Sequence, residues 1–459
     1  MSTAPEKAAP KGLRLTVLGT GYLGATHAIC MALLGHEVLG VDVDASKVER
    51  LNSGEVPFFE PGLDEELRKA LSSDRLRFTT DFAEAGAFGE VHFVCVGTPQ
   101  QAGSNAADLT YIESCIDSLA PHLHSPCLVV GKSTVPVGTA ERLAARLKAA
   151  SPAGADVHLA WNPEFLREGF AVEDTLHPDR LVFGVTDPAD EARLREAYAS
   201  LLDEGTPAVV ADLPTSELVK VAANSFLATK ISFINAMAEL CEAVDADVTK
   251  LQQALSFDSR IGGRFLQPGL GFGGGCLPKD IRAFTARAEE LGVGQAVSFL
   301  REVDAINLRR RSRTVDLIRE LAGGDLGDKV VAVLGAAFKP DSDDVRDSPA
   351  LDVAVRLVSE GAEVRVYDPK AMENARRVRP DLGYVPSLRD AVLGADVVAV
   401  LTEWGEFRAL DPDLVSTLVA RRAIFDGRHA LDAETWSAAG WTYRALGRRA
   451  QPAPLCAAP

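Results

Sequence analysis

Apolar residues along this chain come in short blocks that end at glycine, each followed by a longer stretch with apolar positions at helical spacing. LRLTVLG (13–19) is such a block. GTGYLGATHAICMALLGHEV then turns into a helix that stops at Gly35, and VLGVDVD (38–44) forms the next strand. This strand–helix–strand order predicts parallel strands with crossover helices. VHFVCVGTP (91–99), CLVVGKSTVPVG (127–138) and VHLAWNPEF (157–165) extend the same sheet, each apolar strand running into a polar or Gly/Pro turn. From about residue 215 the pattern changes: TSELVKVAANSFLATKISFINAMAELCEAV keeps helical spacing for many turns without glycine or proline. That predicts one long helix, a natural dimerisation surface, with Lys220 and Asn224 four apart on one face. At 329 the opening pattern returns in KVVAVLGAAFKP, a helix and GAEVRVYDP (361–369), and GADVVAVLTEWGEF (394–407) and AIFDGR (423–428) supply later strands.

The fold class expected is therefore α/β: two Rossmann-like doubly wound domains joined by a helical central segment. The expected partition is a flexible tail at 1–11, a dinucleotide-binding domain at 12–212, a helical and dimerising domain at 213–325, a second Rossmann-like domain at 326–450 and a tail at 451–459.

Composition narrows the function. The chain has 459 residues, 47% hydrophobic and 25% charged, values of a soluble multidomain protein. A net charge of −17 without a basic block argues against nucleic acid and anionic membrane as partners, so an anionic ligand needs a local positive site. No apolar run suits a signal peptide or a membrane span, and the seven cysteines are scattered without CxxC spacing, so a cytoplasmic protein with reduced thiols and no metal site is expected.

Two stretches carry candidate chemistry. Gly19, Gly21 and Gly24 have the GxGxxG spacing between strand and helix, and Asp42 follows where an acid would hold an adenosine ribose. In the returning pattern only Gly335 of that triplet is kept, so the second unit should bind something other than NAD. GKST at 131–134 is not a P-loop, because proline stands at 126 where that motif needs glycine. GFGGGCLPKD (271–280) sets Cys276 behind a run of glycines, with Lys279 and Asp280 close enough to influence its protonation. A glycine-rich surface turn with an incidental thiol is the alternative on those ten residues alone.

Together the motifs resemble the UDP-glucose/GDP-mannose dehydrogenase family. The stretches that carry the likeness are GTGYLG (19–24), VPFFEPGLDEEL (56–67), VGTP (96–99), KSTVPVG (132–138), NPEFLREG (162–169), AANSFLATKISFIN (222–235), FLQPGLGFGGGCLPKD (265–280), FKPDSDDVRDSP (338–349) and LTEWGEF (401–407), in family order along nearly the whole chain. The resemblance implies oxidation of a nucleotide sugar at C6 with two NAD⁺, through a thiohemiacetal and a thioester on Cys276. UDP-glucose is the favoured substrate; GDP-mannose or a UDP-N-acetylhexosamine is the alternative, and a two-electron hydroxy-acid dehydrogenase a remote one.

Residue roles follow from the same likeness. Lys220, Asn224 and Asp280 would surround the reacting oxygen with a water, and Lys220 or Lys279 would favour the thiolate. Glu164 belongs near thioester hydrolysis, and Glu168 near Thr134 and the cofactor. NAD would be held by the glycine fingerprint with Tyr22 and Leu23, by Asp42 and Lys47, and by Thr98, Thr134, Glu168, Lys279 and Arg346. The UDP-sugar would meet Glu164, Phe165, Leu166, Arg167 and Glu168, then Phe265, Leu266, Gln267, Pro268, Gly269 and Gly273, with Phe338 and Lys339 at the diphosphate. Arg260 would reach the neighbouring subunit's site, making a homodimer or higher assembly part of the enzyme. Gly275 departs from the serine or tyrosine common before the nucleophile, which bears on rate or sugar preference.

Overall fold

The computed structural model describes residues 12–449; the expected tails and Cys456 lie outside the described residues. Contacts divide the chain into two compact units, the first ending at Ala222 and the second beginning at Ala223. The division falls inside one continuous helix, Leu213–Ala243, where the sequence pattern placed its long helix.

The first unit is built on eight strands: β1 (Arg14–Leu18), β2 (Glu37–Val41), β3 (Leu76–Thr79), β4 (Val91–Val94), β5 (Cys127–Gly131), β6 (Val157–Trp161), β7 (Leu181–Gly184) and β8 (Ala208–Ala211), in spatial order β3-β2-β1-β4-β5-β6-β7-β8. β7 meets β6 antiparallel and β8 follows β7 in parallel, while the other neighbours are parallel. Residues alternate between two cores. Val17, Phe93, Val130 and Ala160 pack on one face, and Leu18, Val94, Val129 and Leu159 on the other. A parallel sheet covered on both faces needs apolar residues at every position, hence the continuous apolar blocks. Strand order reverses between β1 and β4, so their C-terminal ends open the crevice where such sheets bind ligands.

The second unit repeats the order with β9 (Val330–Leu334), β10 (Glu363–Tyr367), β11 (Gly383–Tyr384), β12 (Val397–Val400), β13 (Ala423–Asp426) and β14 (Thr442–Ala445), arranged β11-β10-β9-β12-β13-β14, all parallel. Before that sheet come the helices Val248–Ser256, Leu277–Glu290 and Phe299–Ala322. Ala228 on the long helix, Phe272, Ile281, Leu300 and Val303 form one small core that clamps the cysteine loop between helices. Arg310 is fully buried and lies 3.0 Å from Glu242 and 3.5 Å from Glu239 on the long helix.

Two features differ from the sequence reading. The short strands β3, β7, β8, β11 and β14 were not legible, because runs of two to four residues carry too little periodicity. The helix after β9 does not follow its strand directly: it begins at Pro349, after the loop 335–348.

Candidate active site

The crevice of the first unit begins where β1 ends. Helix Tyr22–Leu33 starts directly after the turn at 19–21, with Gly21 at its cap and no side chain closing its first N–H groups. A Cβ at Gly24 would lie 1.8 Å from the Gly19 carbonyl oxygen, so glycine lets the helix sit against the turn. A Cβ at Gly21 would meet nothing within 4 Å. Asp42, just past β2, accepts from the Thr20 N–H at 2.8 Å, the Thr20 hydroxyl at 3.0 Å and Lys47 Nζ at 2.9 Å. Burial opposes its charge, but Lys47 and the N–H groups of Asp44 and Thr20 hold its pKa below the ordinary carboxylate value. An uncapped helix start, room above Gly21 and a charged acid at the second strand fit the pyrophosphate and ribose of a dinucleotide. Leu23 packs against the core beneath, and the Thr98 hydroxyl donates to the Thr134 carbonyl at 2.7 Å, tying the turns after β4 and β5 together.

Glu164 stands in the turn after β6. The carboxyl Oε1 accepts the N–H groups of Phe165 at 2.7 Å and Leu166 at 3.0 Å, and Oε2 lies 3.2 Å from Lys132 Nζ. The ring of Phe165 carries Lys220 at 5.4 Å and Arg180 at 3.9 Å over its face. The charge of Glu168 acts on the Tyr22 phenol, whose hydroxyl donates to Glu60. Glu60 also accepts the Gly169 N–H at 2.6 Å and the Ala171 N–H at 2.7 Å, joining VPFFEPG, the GxGxxG helix and NPEFLREG. Residues 162–170 are a loop, not a helix, so the four-residue spacing of the two glutamates does not put them on one helical face.

The second unit holds the thiol. Cys276 caps the helix Leu277–Glu290, at the positive end of the helix dipole, and among the six described cysteines it is the exposed one. Burial pushes the thiols of Cys30, Cys95 and Cys115 up to about 12 and Cys127 to about 11, which makes them inert. One turn into the helix, the Asp280 carboxylate is 2% exposed and accepts from Asn224 Nδ2 at 2.7 Å and Lys279 Nζ at 2.5 Å. Its own N–H donates to the Cys276 carbonyl at 2.9 Å. Long helix, Cys276 and Asp280 are thus assembled in one group.

The glycine run explains itself by what surrounds it. A Cβ at Gly273 would lie 2.4 Å from the Asp347 carbonyl, at Gly274 2.7 Å from the Phe338 ring, and at Gly275 2.2 Å from the Arg346 guanidinium. The loop therefore lies flat against FKPDSDDVRDS, and its backbone is stitched by Asn235 to Gly269, by Asn307 to Phe272 and by Asp344 to Gly275. Phe265 holds a left-handed φ of 60°, a conformation a bulky residue keeps only where its surroundings impose it.

Several expected contacts are occupied otherwise. Lys279 gives its ammonium to Asp280, Arg167 forks onto Asp174, and Arg260, 87% exposed, pairs with Asp258. Arg346 pairs with Asp344 and covers Gly275, so a side chain at 275 would have to displace it. Lys339 lies 5.6 Å from the Phe338 ring centre. Residue-type reasoning gave no role to Lys132 and Asn162, although they open KSTVPVG and NPEFLREG, and it missed Arg180, just before β7, and Tyr198, between two short helices. It also missed Arg428, whose guanidinium donates to the carbonyls of Gly271, Phe338 and Leu401 and binds three loops together.

Three models of the UDP-glucose/GDP-mannose dehydrogenase family match in sequence: the NAD binding domain at residues 13–202, the central domain at 214–309 and the UDP binding domain at 332–433. A UDP-glucose 6-dehydrogenase of Rickettsia conorii is 42% identical, covering 95% of this chain and 100% of that one. Among solved structures, a UDP-glucose dehydrogenase from Pyrobaculum islandicum superposes with a TM-score of 0.89 at 39% identity, covering 98% of this chain and 100% of the other. A UDP-D-ManNAc dehydrogenase from Pyrococcus horikoshii gives 0.83 at 28% identity, covering 95% and 99%.

Proposed function

Because this chain belongs to the UDP-glucose/GDP-mannose dehydrogenase family, we propose that it oxidises C6 of UDP-glucose twice, giving UDP-glucuronate through a thioester on Cys276. The observation that carries this reading is the Asn224–Asp280–Lys279 group, set one helical turn from the exposed thiol. NAD⁺, when bound, takes up the hydride of each oxidation. Lys220, Asn224 and Asp280, with a water, receive the hydroxyl proton and stabilise the negative oxygen. The Cys276 thiolate forms a C–S bond to the aldehyde carbon, and the oxygen takes a proton to give the thiohemiacetal. After the second oxidation, water activated by Glu164 adds to the thioester carbon, the C–S bond breaks, and carboxylate and thiol are released. One alcohol, one water and two NAD⁺ thus give one carboxylate, two NADH and three protons.

Phe338, Lys339 and the 265–269 segment are assigned to the nucleotide, and Arg346 to NAD. The higher identity to UDP-glucose dehydrogenases than to the UDP-D-ManNAc enzyme supports the choice of sugar. A homodimer completes the reading. Phe226, Phe233 and Leu240, seven apart, leave an exposed apolar stripe along the long helix that suits a second copy, with Arg260 reaching the partner's site. Light scattering should then give twice the chain mass or a multiple of it, and a monomer would exclude this arrangement.

NADH released per limiting UDP-glucose tests the chemistry, with GDP-mannose and UDP-N-acetylglucosamine in parallel. Two NADH from UDP-glucose is the expected result. One NADH would overturn the four-electron reaction, and two from another sugar only would overturn the substrate.

A further inference from the structure

Lys132 follows β5 directly, is 4% exposed, and has no part in the steps above. An ammonium buried to that degree persists only when paired and hydrogen-bonded. Its Nζ lies 3.2 Å from Glu164 Oε2, 3.0 Å from Asn162 Oδ1 and 3.4 Å from the Tyr198 hydroxyl. Asn162 is itself oriented, donating to the Val182 carbonyl at 2.9 Å and accepting from the Tyr198 hydroxyl at 2.7 Å. The other oxygen of Glu164 is taken by the Phe165 and Leu166 N–H groups. The carboxylate is therefore gripped at both oxygens: on one side by its own turn, on the other by a cation braced from β6 and from Tyr198.

We propose that Lys132 is a positioning residue for thioester hydrolysis, holding Glu164 in one orientation as the base that activates water. The inference rests on the thioester reading given above. Cys30, Cys95, Tyr198 and His27, which lie near the pair, are neutral at ordinary pH. Burial raises the thiols of Cys30 and Cys95 and pushes the Tyr198 phenol to about 12, and burial, aided by Lys132, drives His27 well below its usual value. Burial opposes the charge of Lys132, but Glu164, with Tyr198 and Cys95, more than offsets it. The nearby cations Lys220 and Arg180 lie over the Phe165 ring.

The test compares the unaltered protein, Lys132→Met, Glu164→Gln and the double variant by stopped-flow NADH formation, steady-state kinetics and intact mass. In Lys132→Met we expect kcat to fall roughly tenfold or more with KM for UDP-glucose within about threefold. A burst of two NADH per site should precede a slow steady state, and a sugar-acyl adduct on Cys276 should accumulate. The double variant should hydrolyse no slower than Glu164→Gln alone, because the lysine acts through the glutamate. Unchanged hydrolysis without adduct in Lys132→Met, or a further loss in the double variant, would overturn the proposal. Tyr198→Phe keeps the ammonium and removes one of its partners, so it decides the matter if Lys132→Met melts. A roughly threefold slower hydrolysis with the NADH-forming steps unchanged is expected, and unchanged hydrolysis overturns the role. If the unaltered protein itself yields no second NADH, the function reading falls and this inference with it. That outcome is distinct from an active protein whose variant is unaffected.

Discussion

The two sheets share the order of their first six strands and place an aspartate at the same point, Asp42 after β2 and Asp368 after β10, yet they load it to different degrees. In the first unit the turn after β1 is short, the helix start is uncapped, and Asp42 keeps Thr20 and Lys47 as its main partners. In the second unit the loop 335–348 intervenes before a helix that Ser348 caps and Pro349 opens. There Asp368, 1% exposed, accepts the N–H groups of Ala336, Ala337, Lys370 and Ala371 and the Trp404 indole. The second sheet satisfies with its own carboxylate the N–H groups that could otherwise meet an anion. The same scaffold is open in one copy and closed in the other, and the released loop 335–348 serves to back the Cys276 loop. A fold is thus reused by changing who satisfies its backbone donors.

That contrast can be broken most severely at Gly24. Gly24→Val drives a side chain into the Gly19 carbonyl and should cost about 4 kcal/mol, seen as a collapsed melting temperature and lost NAD binding. Asp368→Ala should destabilise by about 3 kcal/mol through its orphaned N–H groups while calorimetry finds NAD affinity unchanged; an altered affinity would show that the second site is not closed to the dinucleotide. A third helix start is also closed by the protein itself: Glu217 accepts the N–H groups of Gly138 and Ala140, ahead of helix Thr139–Ala150, and burial pushes it up to about 7. Its native state binds a proton more tightly than the unfolded chain. The stability it contributes is therefore present in acid and lost as pH rises from about 4.5 to about 7. Glu217→Gln should remove about 2 kcal/mol of that decline, read from urea melts at pH 5 and pH 8. The mildest change is the most discriminating: Gly21→Ala has open space around it, so melting should be unchanged while NAD binding weakens about tenfold.

The cysteines show why some of this was legible and some was not. Cys276 stood out because glycines and charges sit beside it in sequence, and the loop it occupies is built from consecutive residues. The buried pair Lys132–Glu164 joins β5 to the turn after β6, and Tyr198 braces it from a third segment. No spacing along the chain signals three such segments meeting. Arg428 was likewise hidden, because its partners are backbone carbonyls, which every residue carries.

What the chain determined locally was the strands with apolar residues on both faces, the GxGxxG turn and the long helix, because each depends on neighbours a few residues away. Tertiary structure alone decided that Asp368 is spent on backbone and that Lys279 turns to Asp280. It also decided that Gly275 lies beneath Arg346 and that Lys132 holds Glu164. The reason is physical. Burial and pairing set the charge and direction of a side chain, and both are properties of what folds against it from distant parts of the sequence.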